Sequence, residues 1–305
     1  MKIAILGTGG VGGYIGGKLV LVNDCKQNHI TFISRGRQLK KIKESGLKII
    51  DEDQEYIVKP DTICDNPKNT EKFDFIIVSV KSYDLRSALD IIKENVSDNT
   101  ILLPLLNGVD HDKEIKKIFP SAKVLNGCIY ILSNIKKPGV IKKYGGVFRL
   151  IFGSSDLNIE NFQNIKKLFD EAGLANKLTI NIELETWKKY LLISAYASMT
   201  SYYQKPLGYI ANEKLDELEE VLKEIKNIAH LKNINIEDET INKILQSIKT
   251  LPYESKTSMQ LDYEKGKKTE VEALCGYIVK EANKFNVKVP NMHRYYNVLT
   301  NKNNK

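Results

Sequence analysis

The first thirteen residues constrain this chain more than any other stretch. Lys2 to Leu6 is a short apolar run, Gly7-Thr8-Gly9-Gly10-Val11-Gly12-Gly13 comes next, and Tyr14, Ile15, Leu19 and Val20 then open a helical rhythm. A strand, a glycine turn and a helix start in this order predict a dinucleotide-binding unit of parallel strands and crossover helices. Gly7 suits the tight turn, Gly9 has no side chain to hold a pyrophosphate away, and Gly12 lets the helix approach the sheet. Free N–H groups at the helix N-terminus attract phosphate charge. Gly7, Thr8, Gly9, Gly10, Val11 and Gly12 are therefore the expected cofactor turn.

The second strand is expected at His29 to Ser34, and the residues at its end select the cofactor. A site for NAD carries an acid near this point to hold the ribose hydroxyls, and that acid repels a 2′-phosphate. Here the chain reads Ser34-Arg35-Gly36-Arg37. The planar fork of Arg35 can donate two parallel hydrogen bonds to a phosphate, so Ser34 and Arg35 predict NADP(H). Short strands are expected at Leu47 to Ile50 and Glu55 to Val58. Phe73 to Val80 and Thr100 to Leu106 are continuous apolar runs, the pattern of parallel strands buried on both faces. A helix is expected between them, over Asp84 to Val96. Ligands gather at the carboxyl ends of such strands, which places Lys81 on the cofactor side. Asn107, at the end of the second run, is either a turn former or an amide that orients a carbonyl or the nicotinamide.

From Ala122 to Gly153 short segments separated by Lys137-Pro138-Gly139 and Tyr144-Gly145-Gly146 predict antiparallel strands appended to the sheet. A helix over Asn158 to Ala172 and an edge strand over Leu178 to Ile182 complete this half. From Glu183 onward the periodicity is helical, with stripes at Leu215, Leu218, Leu222, Ile225 and Ala229 and at Ile241, Ile244, Leu245 and Ile248. The expected class is an α/β Rossmann domain over 1–180, with a parallel sheet and appended antiparallel strands, and then an all-α domain over 181–305.

Composition excludes several functions. The 305 residues suffice for about two domains. A net charge of +8 is spread among acids and asparagines rather than gathered in a basic tract with aromatics, so no nucleic acid partner is expected. The surplus charge suits a phosphorylated cofactor and an anionic substrate. No apolar stretch has membrane-spanning length, and the opening residues read as a core strand rather than a signal peptide. Cys25, Cys64, Cys128 and Cys275 show no metal-ligand spacing. A cytoplasmic, reduced, metal-free protein is the expectation, with Asn301 to Lys305 a disordered tail.

Two stretches of the helical half carry chemistry. In Trp187-Lys188-Lys189-Tyr190-Leu191-Leu192, Trp187 and Leu191 share an apolar face that Lys189 borders, and an ammonium there can give a proton to a developing alkoxide. In Thr257-Ser258-Met259-Gln260-Leu261-Asp262 and the later Thr269-Glu270-Val271-Glu272, the acids admit two readings. Thr269 with Glu272 matches a capping box and Glu270 suits a helix N-terminus; Glu270 is otherwise a catalytic acid.

GTGGVGGYIGGKL, SRG, VKSYD, LLNGVD, WKK, SMQLD and KKTEVEALCG, taken in order, resemble the pattern of the ketopantoate reductases (2-dehydropantoate 2-reductases) across essentially the whole chain. The resemblance implies NADPH-dependent reduction of 2-dehydropantoate to pantoate in pantothenate and coenzyme A biosynthesis, by a monomer or homodimer acting on a small 2-oxo acid. It implies Lys189 as the catalytic lysine and general acid, and Glu270 as an acid that touches substrate and cofactor. It further implies Asn107 as a substrate and nicotinamide amide, Lys81 as the cofactor-side lysine and Ser258 as a substrate-binding serine. The family pattern carries asparagines one and two turns after the lysine, and here Ile193 and Ala197 stand there, beside Ser194 and Ser198, the further candidates for substrate contact. Two alternatives stay open: a related NADPH-dependent reductase of another small 2-oxo acid, and a non-catalytic NADP(H)-binding sensor.

Overall fold

The computed structural model describes residues 1–23, 27–68 and 70–302, the side chain of Lys302 excepted. Cys25 and residues 303–305 lie outside these. The chain divides into two compact units, Met1–Leu106 with Asp110–Ile182, and Asn107–Val109 with Glu183–Lys305. The division is not contiguous: three residues that come after the last long apolar strand belong to the second unit.

The strands of the first unit are β1 (Lys2–Leu6), β2 (His29–Ile33), β3 (Leu47–Asp51), β4 (Gln54–Val58), β5 (Thr62–Cys64), β6 (Phe75–Val78), β7 (Ile101–Pro104), β8 (Lys123–Val124), β9 (Asn126–Lys137), β10 (Val140–Gly153) and β11 (Asn176–Thr179). A six-stranded parallel sheet runs β5-β2-β1-β6-β7-β8. Of the appended strands expected over Ala122 to Ile182, β8 joins the parallel sheet, while β9, β10 and β11 form a second sheet with β3 and β4, in the order β11-β10-β3-β4 with β9 paired antiparallel to β10. β3 and β4 thus leave the order of the parallel sheet and join the later hairpin, because β3 pairs in parallel with β10. The final strand begins two residues earlier than its apolar pattern suggests and ends at Thr179, since Ile182 already starts a helix.

The helices of this unit are α1 (Gly10–Leu21), α2 (Gly36–Ser45), α3 (Leu85–Ile91), α4 (His111–Ile118) and α5 (Gln163–Glu171). The expected helix over Asp84 to Val96 is shorter, flanked by 3₁₀ turns at Ser82–Asp84 and Lys93–Asn95. α1 meets both sheets through paired glycines four residues apart. A methyl on Gly16 would come within 2.8 Å of Ile5 and Phe32 from β1 and β2. One on Gly13 would come within 2.8 Å of Ile141 from β10, and one on Gly17 would run into Ile49 from β3. Glycine on two faces is what lets one helix pack closely against two layers.

The second unit holds α6 (Ile182–Tyr203, from Glu183 onward), α7 (Leu207–Glu213), α8 (Leu215–Leu231), α9 (Asp238–Ile248), α10 (Ser258–Glu264), α11 (Tyr277–Phe285) and α12 (Pro290–Lys302). Asn301 and Lys302, expected in a loose tail, are the last residues of α12. Leu218, Leu222, Ile225 and Ala229 of α8 and Ile241, Ile244 and Ile248 of α9 are buried in one core, as their spacing requires. Between Glu270 and α11 the chain makes a π-helical turn over Glu272–Gly276. α6 supplies side-chain donors to the carbonyls of this turn. Tyr190 Oη donates to the carbonyl oxygens of Leu274 (2.5 Å) and Ala273 (3.1 Å), and Ser194 Oγ donates to that of Leu274 (2.8 Å).

Candidate active site

In the first unit the glycine turn joins β1 to α1. Gly7 has φ +96, a conformation that penalises any side chain, and its N–H donates to the carbonyl of Ile33 in β2. A methyl on Gly12 would run into the Gly7 carbonyl oxygen and Ser79 Oγ, so this glycine is fixed by packing. Ser79, the residue after β6, donates to the Gly7 carbonyl at 2.8 Å. Gly9 differs: a methyl there would meet nothing within 4 Å. The first intrahelical bond runs from Gly13 to Gly9, which leaves the N–H groups of Gly10, Val11 and Gly12 outside the helical ladder. No acidic residue sits in the first turn of α1 and no side chain caps it. A dinucleotide pyrophosphate fits this N-terminus, which offers N–H groups, a positive dipole end and no Cβ over the approach.

Around the turn, Thr8 Oγ1 donates to Ser34 Oγ at 2.6 Å, and Gln38 Nε2 donates to the Thr8 carbonyl at 3.0 Å. These bonds lock the turn to the loop after β2. Arg35 is exposed, and its Nη2 donates to Asp84 Oδ2 at 2.8 Å. Lys81 is half-buried immediately before the 3₁₀ turn that ends at Asp84. Thr8 and Ser34 thus hold each other, and Arg35 is presented outward by a carboxylate to which sequence reasoning gave no role. The signal was present in VKSYD, four residues after the apolar run, but nothing local connects Asp84 with Arg35.

In the second unit three of the expected residues come together. Lys189 is 7% exposed and Glu270 3%. The Lys189 ammonium donates to Asn107 Oδ1 at 3.0 Å, and Asn107 Nδ2 donates to Glu270 Oε2 at 3.4 Å. One amide therefore links a buried cation to a buried carboxylate, with its acceptor toward the lysine and its donors toward the acid. Lys189 comes from α6, Glu270 from the residue before the helix that carries the π turn, and Asn107 from the segment after β7. The Glu272 carboxylate accepts from Tyr296 Oη at 2.9 and 3.1 Å.

The serines separate. Ser258 is exposed at the start of α10, where the Thr257 hydroxyl caps the helix by accepting from the Gln260 N–H at 3.2 Å. Ser194 and Ser198, expected to touch substrate, are fully buried inside the helical unit. Ser194 holds the π turn, and Ser198 lies against the Cys275 thiol, which burial above all pushes up to about 12. Helix geometry explains the correction: Ser194 and Ser198 are five and nine residues after Lys189 and turn away from it, whereas Ile193 and Ala197, four and eight after it, share its face. Tyr190, missed by sequence reasoning, holds the backbone just after Glu270. Its signal was only its adjacency to Lys189.

No group of three or more metal-ligating side chains occurs among the described residues, and no described helix is long and apolar enough to cross a membrane.

Comparison with known proteins places this geometry in a family. The ketopantoate reductase PanE/ApbA model matches residues 3–156, and the model of the PanE/ApbA C-terminal domain matches residues 181–303. The 2-dehydropantoate 2-reductase of Pyrococcus horikoshii is 30% identical over 292 residues, covering 95% of this chain and 93% of that one. An uncharacterized oxidoreductase of Bacillus subtilis, YkpB, is 29% identical, covering 97% of each chain. The crystal structure of 2-dehydropantoate 2-reductase from Porphyromonas gingivalis W83 superposes with a TM-score of 0.86 at 28% identity, over 98% of this chain and 99% of that one. This chain belongs to the ketopantoate reductase family of oxidoreductases.

Proposed function

We propose that this protein catalyses the NADPH-dependent reduction of 2-dehydropantoate to pantoate, with Lys189 as the general acid. The observation that carries the proposal is the buried Lys189–Asn107–Glu270 array. When bound, the nicotinamide cofactor supplies the hydride that goes to the 2-oxo carbon. As negative charge grows on the carbonyl oxygen, the Lys189 ammonium stabilises it and gives up a proton, which is worth most away from bulk water. Asn107 holds Lys189 by accepting its N–H, so the proton to be delivered has a fixed origin. Glu270 favours the charged form of the lysine through the amide. Gly7 to Gly12, Ser34, Arg35 and Lys81 are the residues proposed to hold the cofactor, with Arg35 on the 2′-phosphate, and Ser258 is proposed for the substrate.

A second reading, reduction of a different small 2-oxo acid, rests on Ile193 and Ala197. They put apolar surface on the face of α6 that carries Lys189, where amides would distinguish a hydroxylated substrate. Hydrogen bonds of that kind carry large discrimination. The deciding experiment monitors NADPH oxidation by purified protein with 2-dehydropantoate beside a panel of small 2-oxo acids. Preference for 2-dehydropantoate upholds the first reading, and preference for another acid upholds the second. Nucleotide binding without turnover on any acid overturns both.

A further inference from the structure

Arg35 and Asp84 stand on two loops that flank the glycine turn. In the parallel sheet β2 and β6 are the two neighbours of β1. Arg35 comes just after the carboxyl end of β2, and Asp84 closes the 3₁₀ turn after the carboxyl end of β6. Their ion pair, Nη2 to Oδ2 at 2.8 Å, connects the loops on either side of the turn that leaves β1. Both side chains keep access to solvent, 56% for Arg35 and 33% for Asp84. The Asp84 side chain makes no helix-capping bond at the start of α3, so helix formation does not account for its position.

The loop after β2 has no acid of its own, reading Ser34-Arg35-Gly36-Arg37. An unopposed arginine there would present a full positive charge to a 2′-phosphate. Asp84 alters this in two ways. The pair carries no net charge, which offsets the attraction felt by a dianion, and one of the five guanidinium N–H donors is already engaged. The carboxylate also returns to the site the acceptor that binds ribose hydroxyls in NAD enzymes, delivered from the opposite loop.

We propose that Asp84 is a specificity-determining residue that narrows the preference of this site for a phosphorylated over an unphosphorylated adenosine ribose. The proposal rests on the reading of Arg35 as the 2′-phosphate residue and deepens it. Asp84→Asn keeps an oxygen to accept from Arg35 and removes the negative charge, so it isolates the charge from the geometry.

The test is titration calorimetry of the full-length protein with two fragments, 2′,5′-ADP and 5′-AMP, which need neither nicotinamide nor turnover. Asp84→Asn should raise the ratio of affinities for 2′,5′-ADP over 5′-AMP by about fivefold at low salt, and less at high salt, where screening weakens the effect. Asp84→Ser should move the ratio in the same direction, and it provides the answer if the Asn variant is poorly behaved. Arg35→Ala should collapse the ratio. A ratio unchanged or lowered in both Asp84 variants, with Arg35→Ala still collapsing it, overturns the role of Asp84 and leaves the reading of Arg35 standing. A ratio that survives Arg35→Ala overturns that reading and this proposal together, as does failure of the wild-type protein to bind either fragment.

Discussion

The Lys189 ammonium donates to Asn107 Oδ1 at 3.0 Å across 82 residues of sequence. The long α6 helix supplies the cation and a three-residue segment after β7 supplies its acceptor. Both belong to the same compact unit, although the chain has traversed the other unit in between.

Replacing Lys189 with alanine should lower kcat by about 10²-fold or more, with a much smaller effect on nucleotide affinity. Asn107→Ala should lower kcat as well, because the ammonium loses an acceptor that helps to fix it. Single-turnover kinetics with a good 2-oxo acid substrate checks this. Normal turnover in Lys189→Ala would remove the lysine from the proton transfer.

Gly9 and Gly12 should respond to alanine in opposite ways. Gly9→Ala should keep the thermal midpoint, since the methyl meets nothing of the protein within 4 Å, yet bind nucleotide at least tenfold more weakly because the approach to the helix N-terminus is obstructed. Gly12→Ala meets backbone and Ser79, and should destabilise by about 1–3 kcal/mol through overpacking. Thermal melts with and without NADPH separate the two effects.

Tyr190 and Ser194 both donate to the Leu274 carbonyl in the π turn. Either hydroxyl alone leaves that oxygen one partner, so Tyr190→Phe or Ser194→Ala should each cost about 1 kcal/mol. The double variant removes both side-chain donors from that buried oxygen and should cost more than the sum, with a fall in kcat as the backbone after Glu270 loosens. Urea denaturation of the four proteins of this cycle measures the coupling, and additive losses would show that the π turn holds itself.

Asp51 gives a pH signature to the first unit. Burial opposes its charged form, but hydrogen bonds from Tyr14 (2.7 Å) and Lys143 (3.0 Å) and the lysine charge outweigh burial and hold the carboxyl below its ordinary 3.8. A carboxyl lowered in the folded state adds stability that is fully present above 3.8 and is lost as pH falls through the folded value. Tyr14→Phe should therefore cost about 1 kcal/mol at neutral pH, and the difference from wild type should narrow as pH falls below 3.8 and through the lower value at which the folded carboxylate protonates. Denaturant melts at neutral and acid pH check the sign. A difference independent of pH would assign the effect to packing.

The amino-acid sequence by itself determined the opening strand, glycine turn and helix, the long buried strands and the class of each domain, whereas α2, β5 and α4 carried no clear local signal. The former arise from local patterns: a glycine turn after an apolar strand, continuous apolar runs for buried parallel strands, and periodic stripes such as Leu218, Leu222 and Ile225. The identities of Lys189, Asn107 and Glu270 were legible as chemistry in motifs, and the family resemblance gave them roles. Tertiary structure alone decided which side chains meet. It joined β3 and β4 to the β9–β10 hairpin in a second sheet, turned Ser194 and Ser198 into the core, gave Tyr190 the carbonyls of a π turn and set Asp84 against Arg35. The physical reason is common to all four: strand pairing and side-chain hydrogen bonds join residues tens of positions apart, and their energies depend on a geometry that local spacing does not encode.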